Sequence, residues 1–301
     1  MLAITCPGQG AQKSGFLSSF LELETFSAQI DELEAASGID LRLHGTESDD
    51  ETIKDTALAQ PLLVASAIAC AAELGVTPAV VAGHSVGEIA AAQLAGIFTS
   101  ADAMSFVSVR ANGMASAAAA TPTGMSAVVG GVPEDVLAAI EAAGASPANV
   151  NGGGQTVAAG SREALDALAE NAPERARVIP LPVAGAFHTE YMAPATEALA
   201  ATAEALEVSD PQVRILTNSD GSAVAAGRDY VDLLVKQVTN PVRWDLCQET
   251  LLAQGVTGMI ELVPGGTLTG IARRAMKGVE TFAIKSAADL DGAREFAAAH
   301  A

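Results

Sequence analysis

The sequence predicts an α/β fold in which a large unit with a mainly parallel sheet carries a small inserted subdomain. Three observations lead there. Short apolar runs alternate with segments of helical apolar spacing along most of the chain. Val80 to Gln93, VVAGHSVGEIAAAQ, reads as strand, sharp turn and helix. After Thr121-Pro122-Thr123-Gly124 the elements become shorter and follow a β-α-β-β-α-β order before the longer pattern resumes.

Composition bounds the function. Half of the 301 residues are apolar and only 4% are aromatic, so a sizeable core has to be built from Ala, Val, Leu and Ile. The formal net charge of -20 argues against nucleic acid as the main partner and obliges an anionic substrate to find a local cation. Cys6, Cys70 and Cys247 are odd in number and lack CxxC or Cys/His spacing, so they are expected as small buried hydrophobes, with no disulfide frame and no metal site. Gln60, Glu73, His84 and Glu88 interrupt the best apolar stretches, so no membrane helix is expected. The start, MLAITCPGQG, lacks the basic and long apolar segments of a signal peptide. A soluble cytoplasmic protein is predicted.

Leu2 to Cys6 is the first strand, and Pro7 to Gln12 is the turn after it. Lys13 stands where a dinucleotide fingerprint needs its third glycine. The turn is either a plain connection or a means of bringing the Gln9 N–H to a site at the strand ends. Residues 17 to 43 have helical spacing, with a break at Gly38. Thr46 to Asp55 is a polar, acidic loop, and a long helix runs from Gln60-Pro61 to Leu74, with proline where its missing N–H costs least. Strand 79–82, the sharp turn and a helix to about Ala95 follow. Asp102 to Ala119 is helical and carries Arg110 among Met104, Phe106, Val107 and Met114. That arginine either snorkels to solvent or, if buried, needs an acidic partner group.

The short elements are strand 125–129, helix 133–143, strand 147–150, a Gly152-Gly153-Gly154 turn, strand 156–159, helix 163–168 and strand 177–183. This is the ferredoxin-like order. Residues 123–189 are therefore expected as a small subdomain, and 1–122 with 190–301 as the catalytic unit. The chain re-enters through Gly185-Ala186-Phe187-His188-Thr189. Helix 191–206, strand 213–217, helices 230–237 and 244–254, strand 258–262, the Pro264-Gly265-Gly266 turn and helix 268–276 complete the large unit.

Gly-His-Ser-Val-Gly between strand and helix is the pattern of a hydrolase-like nucleophile elbow, which makes Ser85 the candidate nucleophile. Gly83 and Gly87 let the two backbones pass closely, and the helix N-terminus beyond them favours an oxyanion. The serine needs a base. Adjacent side chains point apart, so His84 supports the turn; His44 lies in the polar loop region, and His300 is penultimate, where fraying is expected. His188, at the junction of the two units, is left. No acid stands out as a third member; Asp102, Asp166 and Glu190 are unremarkable. Either a backbone carbonyl orients the imidazole or another histidine is the base.

PGQGAQ at 7–12, GHSVGE at 83–88, Arg110, GAFH at 185–188, NPVRW at 240–244 and VPGGTLTG at 263–270 together resemble the malonyl-CoA:acyl carrier protein transacylases and the acyltransferase domains of polyketide synthases. The resemblance implies an acyl-Ser85 intermediate, His188 as base, and the Gln237 main-chain carbonyl as the group holding the imidazole. It implies an oxyanion hole from the N–H groups of Gln9 and Val86, and Arg110 as clamp for the malonyl carboxylate. Further substrate contacts are implied at Met114, Phe187, Asn151 and Gln155. Where relatives often have a Ser-Pro-Gly-Gln turn, this chain has Gly152-Gly153-Gly154-Gln155, which bears on the pantetheine contacts of Asn151 and Gln155. The implied substrates are malonyl-CoA and phosphopantetheinylated acyl carrier protein, with no cofactor, and the protein is expected as a monomer. Arg273, Arg274 and Lys277 are the expected docking patch for an acidic carrier. The rival readings are a thioesterase-like serine hydrolase and a nucleotide-binding module; the second lacks both GxGxxG and GxxxxGK[ST].

Overall fold

The computed structural model describes residues 1–183 and 185–301. Its large sheet has the order β11-β10-β1-β2-β7-β8, built from β1 (Leu2–Cys6), β2 (Val80–Gly83), β7 (Arg214–Leu216), β8 (Ala223–Val224), β10 (Gly258–Glu261) and β11 (Glu280–Ala283). Every neighbouring pair is parallel except β7 with β8. Strands β1, β2 and β10 are buried along their whole length, as parallel strands covered on both faces must be. Register then places the chemistry: Cys6 pairs with Gly83, so the turns leaving β1 and β2 start level with each other at the carboxyl edge.

The helices of the first half are α1 (Glu24–Ser37), α2 (Leu41–Thr46), α3 (Thr56–Leu74), α4 (Gly87–Leu94) and α5 (Ser100–Ala120). Each start has a local cause. Asp55 accepts from the Ala57 N–H to cap α3, and Thr99 with Asp102 forms a capping box on α5. Gly38, at φ 69°, ends α1 in the left-handed conformation.

Several expectations need correction here. The break expected at Gly38 does separate α1 from α2, but turns rather than helix occupy the first residues of the 17–43 stretch, and His44 belongs to α2 rather than to a loop. Pro61 lies inside α3, which starts at Thr56 rather than Gln60. That helix is also long and apolar enough to cross a membrane, with 19 residues and a mean hydropathy of 1.6, contrary to the expectation that no run qualifies. Its packing assigns it to the core: 72% of the apolar window is buried, and Leu62, Leu63, Val64 and Ile68 sit in the main hydrophobic cluster.

A second sheet has the order β6-β3-β5-β4-β9. It comprises β3 (Thr123–Gly130), β4 (Ser146–Gly152), β5 (Gln155–Ser161), β6 (Ala176–Pro180) and β9 (Val242–Arg243), backed by α6 (Pro133–Ala142) and α7 (Arg162–Glu170). The first four strands are mutually antiparallel, whereas β9 adds in parallel to β4. So the small sheet borrows a strand from beyond residue 189, and the two expected units are stitched together at that edge. Val128, Val136, Ile140 and Leu168 form its separate apolar cluster.

The remaining helices are α8 (Thr196–Ala205), α9 (Gly227–Gln237), α10 (Trp244–Ala253), α11 (Thr267–Ala275) and α12 (Leu290–His300). Helix α12 was not foreseen, and it overturns the expected fraying of His300. That ring packs over Gly258 and Phe296, with Nδ1 3.0 Å from Thr257 Oγ1. All three cysteines are buried and free.

Candidate active site

The turn between β2 and α4 explains its own sequence. A Cβ on Gly83 would lie 2.1 Å from the Glu88 nitrogen, and one on Gly87 would lie 2.3 Å from the Cys6 carbonyl oxygen. Only glycine fits at either place. Ser85 between them has φ 54°, and His188 has φ 61°. Such left-handed non-glycine residues cost of order 1–3 kcal/mol each and persist where the surroundings over-determine them. Here the surroundings are named: Asn218 Oδ1 accepts the Ser85 N–H at 2.8 Å, and Asn218 Nδ2 donates to Gly83 O at 2.8 Å. The 185–189 segment is fixed from Thr123 Oγ1, which accepts the Ala186 N–H at 2.9 Å, and from Thr189 Oγ1, which donates to Ala186 O at 2.6 Å.

These two constrained residues meet. Ser85 Oγ lies 2.7 Å from His188 Nε2, and His188 Nδ1 lies 2.8 Å from the main-chain oxygen of Gln237. The carbonyl can only accept, so Nδ1 carries the proton and Nε2 is free to accept one from the serine. Both side chains are nearly inaccessible. Burial, with Arg110 and then His84 adding like charge, pulls His188 down to about 3, which keeps the imidazole neutral.

The turn after β1 approaches so closely that a Cβ on Gly8 would lie 2.6 Å from His84 O. Among the described residues, the backbone N–H groups of Gln9 and Val86 donate to no acceptor. Gln9 lines the same cleft as Ser85, and Val86 follows Ser85 directly in the chain. His84 takes the supporting role expected of it: Nε2 lies 2.8 Å from Asn151 Oδ1, and the ring sits edge-on to Trp244. Burial lowers its pKa as well.

A cleft of about 690 Å³ opens over this pair. Gln9, Ser85, Met114, Asn151, Gln155, Phe187 and His188 all line it. Asn151 Nδ2 donates to Gln155 Oε1 at 3.0 Å, which holds the floor of β4 against β5. The glycines 152–154, at φ 70°, 56° and 78°, make the hairpin turn, and a Cβ on Gly153 would approach Arg274 Cβ to 3.1 Å. Arg274 Nε donates to the Gly153 carbonyl at 3.1 Å, so the glycine turn lets the hairpin rest on α11.

Arg110 neither snorkels nor lines the cleft; it is 1% exposed, directly behind the wall. It donates to Gln60 Oε1 at 2.6 Å and to Gln237 Oε1 at 2.7 Å. Among the described residues no carboxylate pairs with it. Burial lowers its pKa to about 10, partly offset by Glu88, so it stays cationic. Gln60 lines the cleft, and its Nε2 lies 3.6 Å from Met114 Sδ.

Sequence reasoning missed Glu88, Asn218 and Tyr230, which lie beneath the turn. Glu88 accepts from the Asn218 N–H at 2.6 Å and from the Gln237 amide, and the Tyr230 hydroxyl lies 3.2 Å away. Burial pushes Glu88 up to about 7 in spite of these donors. A single acid in the alanine-rich run after the elbow was the available signal for Glu88; Asn218, at the end of a strand, had only its position.

This site and fold belong to the acyl transferase domain family, whose pattern matches residues 4–295. Within that family the chain is similar to the malonyl CoA-acyl carrier protein transacylase of Mycobacterium tuberculosis, at 47% identity over 297 residues, covering 97% of this chain and 98% of the relative. The crystal structure of that organism's transacylase superposes with a TM-score of 0.93, covering 97% and 99% of the two chains. A malonyl-transacylase solved in complex with a type II polyketide synthase acyl-carrier protein gives a TM-score of 0.90 at 30% identity, covering 98% of this chain and 99% of that one.

Proposed function

We propose that the protein transfers the malonyl group from malonyl-CoA to the phosphopantetheine thiol of acyl carrier protein through an acyl-Ser85 intermediate. The observation that carries this reading is the Ser85–His188–Gln237 chain beside a buried arginine that has only amide acceptors. In the first half-reaction His188 Nε2 takes the hydroxyl proton as Oγ attacks the thioester carbonyl. The tetrahedral oxyanion is held by the Gln9 and Val86 N–H groups, and its collapse expels the CoA thiolate, which recovers the proton from His188. In the second half the carrier's thiol gives its proton to His188 and attacks the acyl-serine carbonyl; Ser85 leaves and is reprotonated.

Arg110 binds the free carboxylate, which displaces Gln60 Oε1 as acceptor while Gln237 Oε1 stays. Met114 and Phe187 bound the acyl group, and Asn151 and Gln155 take the pantetheine arm. The cleft thus lies between a hydrolase-like core, 1–122 with 190–301, and a ferredoxin-like subdomain, 123–189. The βαββαβ chain order and the antiparallel order β6-β3-β5-β4 support that division. Exposed Arg273, Arg274 and Lys277 on and just after α11 form the carrier's docking patch. We place the enzyme in the cytoplasm, a reading supported by the burial of the long apolar helix α3 and by three unoxidised cysteines, and take it as a monomer.

The test is incubation with malonyl-CoA and phosphopantetheinylated acyl carrier protein, followed by carrier mass. Malonyl-carrier formed in proportion to CoA release is the predicted result. Free malonic acid with unmodified carrier identifies a hydrolase instead.

A further inference from the structure

We infer that the Gln237 side chain, pinned by Glu88, is a positioning residue for Arg110, so that one glutamine sets the base with its main chain and acyl selectivity with its amide. This rests on the reading of Arg110 as the carboxylate clamp.

The direction of the amide is dictated by its neighbours. Nε2 faces three acceptors: a Glu88 carboxylate oxygen, the Ser85 carbonyl at 3.1 Å and Asn218 Oδ1 at 3.4 Å. Oε1 faces the Arg110 guanidinium at 2.7 Å. Turning the amide over would set NH2 against guanidinium and oxygen against carboxylate, two conflicts in place of two bonds. Glu88 is itself held by the Asn218 N–H and so cannot follow. The other titratable groups that face it are the Tyr230 phenol and the Cys247 thiol, both pushed up by burial and neutral. Glu88 is thus the acceptor that starts a one-way chain ending on Arg110.

The two glutamines on the guanidinium are not equivalent. Gln60 lines the cleft, and its amide nitrogen has only weak contacts, 3.4 Å to Gln9 Oε1 and 3.6 Å to Met114 Sδ. It can yield its place to a carboxylate. Gln237 lies on the inner side, 6% exposed, with both ends of its amide engaged. Its main chain holds His188 at the same time. A guanidinium anchored there is aimed at the acyl group that His188 and Ser85 are processing, and preorganised charge of this kind separates a charged acyl donor from an uncharged one.

The experiment compares kcat/KM for malonyl-CoA and acetyl-CoA in wild type, Gln237→Leu, Glu88→Gln and the double variant, at about pH 8, where Glu88 is ionised. Gln237→Leu is expected to lower the malonyl-to-acetyl ratio roughly ten-fold or more, the scale of one hydrogen bond to a charged group. Glu88→Gln lowers it too, because one carboxylate oxygen becomes a donor facing a donor. Adding Glu88→Gln to Gln237→Leu lowers it no further. Gln237→Met, nearly isosteric, replaces the leucine variant if that one does not fold. Equal losses for both donors, or additive losses in the double variant, overturn the inference. Arg110→Ala is run alongside: if it too lowers both donors equally, the clamp reading itself fails, whereas a selective loss there and none in Gln237→Leu overturns only the role given to Gln237.

Discussion

Arg110 and the group Arg273, Arg274 and Lys277 are both positive features of an acidic chain, yet they differ in every property that sets an energy. Arg110 is 1% exposed and fixed by two short hydrogen bonds. The other three are exposed, and their bonds run to backbone carbonyls and one threonine: Arg274 to Gly153 and Gly270, Lys277 to Arg273, Arg273 to Thr281. A buried cation in a low dielectric discriminates between acyl groups, because an uncharged group leaves it unanswered. Exposed cations are screened by salt and act on encounter with a partner rather than on chemistry. On the proposed reading, the buried arginine behind the cleft wall would give selectivity and the exposed cations on and just after α11 would give steering.

The largest effect belongs to the nucleophile and its base. Ser85→Ala and His188→Ala should each lower transfer on the order of 10⁴- to 10⁶-fold, and the double variant should be little worse than the worse single one, because the two act as a unit. Steady-state rates with all three variants check this. Near wild-type rates in His188→Ala, with losses in His44→Ala or His300→Ala, would move the base elsewhere.

Arg110→Ala comes next. Breaking a desolvated charged contact costs roughly 2–5 kcal/mol for malonyl transfer, while acetyl or propionyl donors lose less or gain. Equal losses would make the arginine a structural one and erase the contrast with the rim.

Phe187 is the apolar counterpart of Arg110. It lines the cleft immediately before the base and is 6% exposed. If, as the proposed reading has it, its ring occupies the volume that a 2-methyl group needs, Phe187→Ser should shift preference toward methylmalonyl-CoA by about 10- to 200-fold, the worth of one methyl group. If wild type accepts both donors equally, or the variant loses both in proportion while folded, Phe187 is packing alone.

Acid sensitivity tests the buried end directly. His188 sits at about 3 against an ordinary 6.5. With the folded value lowered, its contribution to stability is complete above about pH 6.5 and is lost as pH falls toward the folded value. The base stays neutral across the same window, so acylation by an uncharged donor should hold level from about pH 7 to about pH 5. A loss centred near 6.5 would contradict the burial argument.

The smallest effect is at the rim. Reversing Arg273, Arg274 and Lys277 should raise the Michaelis constant for carrier protein roughly two- to ten-fold at low salt and less at high salt, as exposed charges do. An unchanged constant at low salt excludes the patch.

The difference between the two regions also explains what the sequence disclosed. The elbow was readable because its glycines are dictated by backbone contacts within a few residues, and β2, α4 and α5 lie where their apolar runs place them. His188 was reached by elimination among four histidines, since nothing near it in sequence marks it as a base. The network beneath was not readable: Gln60, Glu88, Arg110, Asn218 and Gln237 are joined by hydrogen bonds between residues 50 to 149 positions apart, which leave no periodic trace. Strand β9 escaped for another reason, being two residues long and paired with a sheet its neighbours do not belong to. The solvent-exposed alternative for Arg110 stayed open on its own helix, because a single helix does not show which neighbours will bury it; the resemblance to acyltransferases supplied that.

On the proposed mechanism Ser85 carries the acyl group while His188 and Arg110 act on it from two sides. The direct measurement is intact mass of the enzyme after brief mixing with malonyl-CoA, with peptide mapping of the adduct and a chase with phosphopantetheinylated acyl carrier protein. One malonyl group is expected, on the peptide bearing Ser85, absent in Ser85→Ala and discharged to the carrier rather than to water. An adduct on another residue, or one released as free acid at the same rate with and without carrier, would contradict it.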